Sequence, residues 1–184
     1  MRLFDKKNGV RGPASTKPSQ GGFTLIEMLV VMTIIAIMAS VVIVSMGKSR
    51  ARGRDARRKT DLKQLEIALI TYYDEYRVFP STNGVWFSSE SGDGASYNSG
   101  NYIPGLAPVY ITNLPRDPGG VKNASASCNG WKAAYLYKSN GLSYKLLSHC
   151  SQESTWDSAS EFYDPVRPTW GWKACGGFLA CTTW

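Results

Sequence analysis

Glu27 is the one charged residue in an apolar run from Phe23 to Met46, and it stands five positions after the pair Gly21-Gly22. An acidic side chain costs about 2.5–3.5 kcal/mol at the centre of a membrane helix. A cation close by offsets that cost, so Glu27 calls for a partner. The other residues with chemistry to offer lie far downstream. Cys128, Cys150, Cys175 and Cys181 are all in the last third, without a CxxC pair, and His149 is the only histidine. That set does not suit zinc. An even cysteine count beyond a membrane-length segment reads as disulfides in an oxidising compartment. Four cysteines allow three pairings. Cys128–Cys150 and Cys175–Cys181 are favoured, because each closes a short local loop. His149 has no nucleophile or acid partner in a motif, so a surface or hydrogen-bonded histidine is expected and no catalysis is indicated.

Glu27 is carried by a segment long enough to cross a bilayer. The 24 residues from Phe23 to Met46 contain no proline. As a helix they span about 36 Å, against a hydrocarbon core of about 30 Å. Charge is concentrated on both sides of this run. Residues 1–22 are net +4, residues 48–63 are net +6, and the remainder is net −3. Cations on both flanks leave the positive-inside rule unable to orient the segment. Residues 1–22 are polar and rich in Gly, Pro and Ser, and read as disordered.

Past the cationic stretch, with Gly47 and Gly53 as weak points for a helix, the apolar pattern resumes. Leu62, Leu65, Leu69, Tyr72 and Tyr76 form one stripe, to be buried against a sheet, until Pro80 ends the pattern. If both parts are one helix, it is about 80 Å long, and its first half must project from a domain of this size. Residues 81–127 are loop-rich. Ser139-Asn140-Gly141 lies between aromatic, alternating runs, which predicts antiparallel pairing of Ala133–Lys138 with Ser143–Ser148. The last 35 residues, with Trp170, Trp172 and Trp184, read as an irregular, cysteine-stapled tail. The expected fold class is α+β: a long N-terminal helix on a small antiparallel sheet, with a loop-rich, disulfide-stapled C-terminal region.

Gly21-Gly22-Phe23-Thr24-Leu25-Ile26-Glu27-Met28-Leu29-Val30-Val31 resembles the class III signal of type IV pilins and type II secretion pseudopilins. That family has a basic leader ending in Gly, then Phe-Thr-Leu-Ile-Glu and an apolar helix. The resemblance implies a type IV pilin-like fold and cleavage between Gly22 and Phe23 by a prepilin peptidase. It also implies N-methylation of Phe23 and pairing of its new amine with Glu27, which sets the register of incoming subunits. The implied layout is a cleaved cytoplasmic leader (1–22), a transmembrane and filament-core helix (23–46), an amphipathic continuation (47–80) and a globular extracytoplasmic region (81–184). The implied location is the bacterial inner membrane, single-pass, then a periplasmic or cell-surface filament. Implied partners are the peptidase, copies of this chain and other pilins, and the inner-membrane assembly platform.

Tyr110-Ile111-Thr112-Asn113-Leu114-Pro115-Arg116-Asp117-Pro118 resembles the Leu-Pro-x-Asp-Pro element of major pseudopilins, which precedes their small sheet. Major pseudopilins bind calcium near the C-terminus, which makes Asp157, Glu161 and Asp164 candidate ligands. No residue-by-residue match supports that set, and no cofactor is expected. The basic run Lys48–Lys63 invites a nucleic-acid reading. Lipid head groups and neighbouring subunits are the better expectation for cations at this position. The alternatives to a structural filament subunit are a minor pilin binding DNA or a secreted substrate, and an unassembled membrane-anchored domain.

Overall fold

Helix α1 runs without a break from Leu25 to Tyr76 in the computed structural model, through both Gly47 and Gly53. The structure describes residues 21–120, 128, 130–153, 157–177 and 180–184. The expected leader lies outside the described residues except for Gly21 and Gly22. The chain divides into two units, residues 1–43 and 44–184.

In the first unit the described side chains are exposed, including Leu25, Ile26, Leu29, Ile34, Ile35 and Met38. They lie all round the helix rather than on one stripe, which is the pattern of a segment surrounded by apolar material. The α1 window that is long and apolar enough to cross a membrane has none of its surface buried within the structure. Its hydroxyls bond back to the helix: Thr33 Oγ1 donates to Val30 O at 2.7 Å and Ser40 Oγ to Ile37 O at 2.7 Å. Neither hydroxyl therefore needs water.

The second unit is built on a five-stranded sheet. Its strands are β1 (Phe87–Ser88), β2 (Ser96–Tyr97), β3 (Ala134–Ser139), β4 (Tyr144–His149) and β5 (Gly171–Gly176). They lie in the order β2-β1-β3-β4-β5, antiparallel except for the β1–β2 pair. A short helix α2 (Ala180–Thr183) follows. The β3–β4 hairpin pairs Ser139 with Tyr144 and Ala134 with His149, within one residue of the range its alternation predicts. Its loop has four residues, as expected, one position further along the chain. Asn140 Oδ1 accepts from the amides of Leu142 and Ser143 at 3.0 and 2.9 Å, and Gly141 takes the left-handed backbone with φ 88°.

One expectation is corrected at the C-terminal end. The tail is not irregular throughout, because β5 pairs with β4 from Tyr144↔Gly176 to His149↔Gly171. Trp172 and Ala174 face the core from this strand, and the flanking glycines had disguised a period-two pattern.

The core of the second unit lies between α1 and the sheet. Leu62, Leu65, Ala68 and Leu69 pack against Tyr135, Tyr137, Tyr144, Leu146, Trp172 and Ala174. Burial of each leucine contributes about 1.5–3 kcal/mol. The stripe fades at its far end: Tyr72 is half-buried and Tyr76 is exposed. The buried phenols of β3 find carboxylate or carbonyl acceptors, as does buried Tyr102, whose Oη donates to Pro115 O at 3.0 Å. Tyr135 Oη donates to Asp61 Oδ2 at 2.7 Å, and Tyr137 Oη to Pro80 O at 2.8 Å. Burial pushes both phenols above the usual tyrosine range, with the Asp61 hydrogen bond adding to the shift at Tyr135.

Candidate processing segment and the buried ion-pair anchor

Residues 21–24 precede the helix and are exposed. Thr24 caps it. The Glu27 amide donates to Thr24 Oγ1 at 3.2 Å, and the Met28 amide donates to Thr24 O at 3.2 Å. The first is one of the amides that a helix start leaves orphaned, satisfied by the cap, and the second is the first regular bond of the helix. Thr24-Leu25-Ile26-Glu27 has the Thr-x-x-Glu spacing of a capping box, with Glu27 at the third helical position. That cap was legible in the sequence, and the reading of Glu27 as an isolated carboxylate passed over it. Aligned peptide dipoles at a helix start favour a negative charge by about 0.3–1 kcal/mol. The helix itself therefore offsets part of the burden of Glu27.

Gly22 has open space around it: a Cβ built there would meet nothing within 4 Å. Among the described residues nothing requires glycine at this position, which is compatible with a requirement set by a partner outside the molecule.

The second unit holds a site that sequence reasoning missed. Arg58 lies in the basic run of α1, yet it is 1% exposed. Its fork grips Asp117 of the Leu-Pro-x-Asp-Pro element, with Nε to Oδ2 at 2.7 Å and Nη2 to Oδ1 at 2.8 Å. Nη1 donates to Asp55 Oδ1 at 2.6 Å and to Glu153 Oε1 at 3.1 Å. Arg54 adds a second guanidinium on Glu153, with Nε to Oε1 at 2.6 Å. The Glu153 amide donates to Asp55. This one network ties α1 to the Asp117 loop and to the segment after β4.

Its electrostatics follow from the contacts. Burial opposes the charge on Arg58, but the hydrogen bonds and charges of Asp117 and then Asp55 outweigh it and hold the guanidinium above its usual range. The Arg54 hydrogen bond, against partial burial and with help from Arg58, lowers Glu153 to about 2. Gly119 leaves room for the grip, since a Cβ there would sit 2.9 Å from both Arg58 Nη2 and Asp117 Oδ1. The expectation that the cations of the basic run meet lipid head groups and neighbouring subunits is corrected for Arg58. A fixed carboxylate fork 59 residues away makes its burial tolerable.

The remaining candidates separate. Cys128 is bonded to Cys150, and Cys175 to Cys181. Asp157, Glu161 and Asp164 do not converge. Asp157 Oδ1 accepts from the Ala159 amide, Glu161 pairs with Lys63 at 3.1 Å, and Asp164 pairs with buried Lys145 at 2.9 Å. Among the described residues no group of three or more His, Cys, Asp or Glu side chains could hold a metal.

His149 is neither on the surface nor fully hydrogen-bonded, contrary to expectation. It is fully buried, between the rings of Trp131 and Trp170. Among the described residues its Nδ1 has no hydrogen-bond partner, and its Nε2 lies 3.5 Å from Cys150 Sγ. Burial, helped by the charge of Arg167, lowers it to about 4.

Comparison with known proteins bears on both units. The prokaryotic N-terminal methylation motif matches residues 17–43. Type II secretion system core protein G of Klebsiella pneumoniae is 33% identical over 101 residues, covering 55% of this chain and 70% of that protein. Its counterpart in Aeromonas hydrophila is 32% identical over 108 residues, covering 56% and 71%. The type IV major pilin protein PilA of Myxococcus xanthus is 36% identical over 81 residues, covering 44% of this chain and 37% of that protein. No solved structure matches.

Proposed function

Since this chain belongs to the type IV pilin and type II secretion pseudopilin family, we propose that it is a structural subunit of a filament of the pseudopilus type. The carrying observation is the arrangement at the head of α1. An exposed Gly22–Phe23 bond stands just before the Thr24 cap, Glu27 sits in the first turn, and an apolar helix whose described side chains are exposed follows. Prepilin peptidase cuts after Gly22 and removes the leader, residues 1–22. The new amine of Phe23 is then methylated. That amine is a cation made beside Glu27, and the pair places each incoming subunit in axial register.

In this reading residues 23–46 serve twice, as a single-pass inner-membrane anchor and then as filament core. Both surroundings are apolar, so the subunit moves between them without unfolding. Residues 47–76 continue the helix, short of the expected end at residue 80, and residues 81–184 form the extracytoplasmic surface. The assembly platform of the inner membrane and other pilins are its partners. The pseudopilus form is preferred because the core protein G relatives match over more of their length than PilA does.

A DNA-binding role is the weaker reading. Within the basic run, Arg54 and Arg58 are engaged by Glu153 and Asp117, and Lys63 by Glu66 and Glu161. Immunogold labelling of filaments sheared from cells tests the assignment. Label along filaments supports it, and label confined to the membrane fraction contradicts it.

A further inference from the structure

Between the loop that follows β2 and the segment before Asp117 lies a surface cavity of about 410 Å³. It shares no lining residue with the ion-pair anchor, although Arg116 of its wall is the chain neighbour of Asp117, and it has no part in processing or assembly as proposed above. Ala107, Pro108 and Leu114 supply an aliphatic lining. Ser99, Asn101, Thr112 and Asn113 supply hydroxyl and amide groups, and all four residues are exposed. Among the described residues none of these four side chains has a hydrogen-bond partner. Four neutral polar groups thus face the same hollow with their donors and acceptors free.

Arg116 adds a single positive charge. Its Nη1 donates to Glu90 Oε1 at 3.2 Å, while its side chain stays 55% exposed and that of Glu90 only 12%. The fork therefore keeps donors for a ligand. Its placement is fixed by Gly100, which has φ +84° and bare backbone where a Cβ would lie 2.5 Å from Arg116 Nη2. Gly100 thus lets the guanidinium lie against the wall of the cavity.

We infer that this cavity binds one uronate residue of an acidic polysaccharide. A lone guanidinium already shared with Glu90 suits a single carboxylate, which it meets as a planar fork. A phosphate-rich ligand would call for several cations. The uncommitted amides and hydroxyls match the ring hydroxyls of a sugar, and the aliphatic side chains match the C–H face of a pyranose. The volume falls within the range of small-ligand sites, about 300–1,000 Å³. The exposed rim leaves both ends of a bound sugar in solvent, so a polymer can continue through it.

The test is protein-observed NMR titration of the isotope-labelled full chain in detergent micelles. The probes are trigalacturonate, its trimethyl ester and monomeric galacturonate. Trigalacturonate is expected to shift the amides of residues 99–101 and 112–116. Esterification, which removes the charge, weakens binding about tenfold, as does Arg116→Gln, because a charge-assisted pair is lost. Asn113→Ala weakens both the acid and the ester, and Arg116→Lys restores part of the preference for the acid. An unchanged spectrum elsewhere shows that each variant is folded. Equal affinity for acid and ester overturns the inference, as do shifts confined to the basic run of α1 or no shift at all. A monomer that binds while the trimer does not overturns the polymer assignment. None of these results depends on filament formation, so failure here leaves the assembly reading untouched.

Discussion

Arg58 and Asp117 form a bidentate ion pair with both side chains 2% exposed, at 2.7 and 2.8 Å. The first residue stands in a helix and the second in a loop 59 positions later. Their pairing converts a cation of the basic run into a fastener of the globular unit.

Removing either partner strips a buried charge of its bidentate pair: among the described residues, Arg58 without Asp117 keeps only Asp55 and Glu153 at Nη1, and Asp117 without Arg58 keeps only the Gly119 amide. Asp117→Ala is expected to destabilise the chain by about 3–5 kcal/mol. Replacing both, as Arg58→Met with Asp117→Leu, is expected to be much milder. Urea unfolding followed by tryptophan fluorescence measures both. A small effect of the single change would show that the fork is dispensable.

Gly119→Ala is expected to loosen the same site, because the added methyl needs space that Arg58 Nη2 and Asp117 Oδ1 now occupy. A loss of about 1–3 kcal/mol is expected. The same urea experiment reads it, and the loss should disappear in the background that lacks the Arg58 and Asp117 side chains.

His149 makes stability depend on pH. Its folded value of about 4 lies below the ordinary 6.5. The unfolded chain therefore takes up a proton first as pH falls, and stability is lost between about 6.5 and 4. At most about 3 kcal/mol is at stake. Glu153, lowered to about 2, adds a loss that starts near the ordinary value of 4.5 and continues as pH falls towards 2. Thermal melts between pH 7 and pH 4 measure the slope. His149→Gln should flatten it, and an unchanged slope would exclude His149 as its source.

Much of this architecture was legible in the sequence. The Phe23–Met46 run, the Leu62–Leu69 stripe and the Asn140-Gly141 hairpin each carry a period or a turn residue that one segment expresses alone. What escaped depends on distant partners. Arg58 sits among exposed cations, and nothing local says that Asp117 will reach it. β5 is bounded by Gly171 and Gly176, which read as loop until β4 supplies its ladder. His149 looks like a strand end until Trp131 and Trp170 close over it. Thr24 is different: its cap was written in the spacing to Glu27, and the charge on Glu27 drew attention from it.

Glu27→Ala is expected to abolish filaments while leaving cleavage intact, because the bond at Gly22–Phe23 lies outside the helix and does not need the carboxylate. Sheared-filament yield and the mobility of the processed chain report the two effects separately. Normal filaments from this variant would end the register argument.

The most direct measurement is the intact mass of the mature chain. A start at Phe23 bearing one added methyl, with four hydrogens lost to the Cys128–Cys150 and Cys175–Cys181 bonds, is the predicted result. A chain that begins at Met1 or at Ser40, without the methyl, would contradict the account.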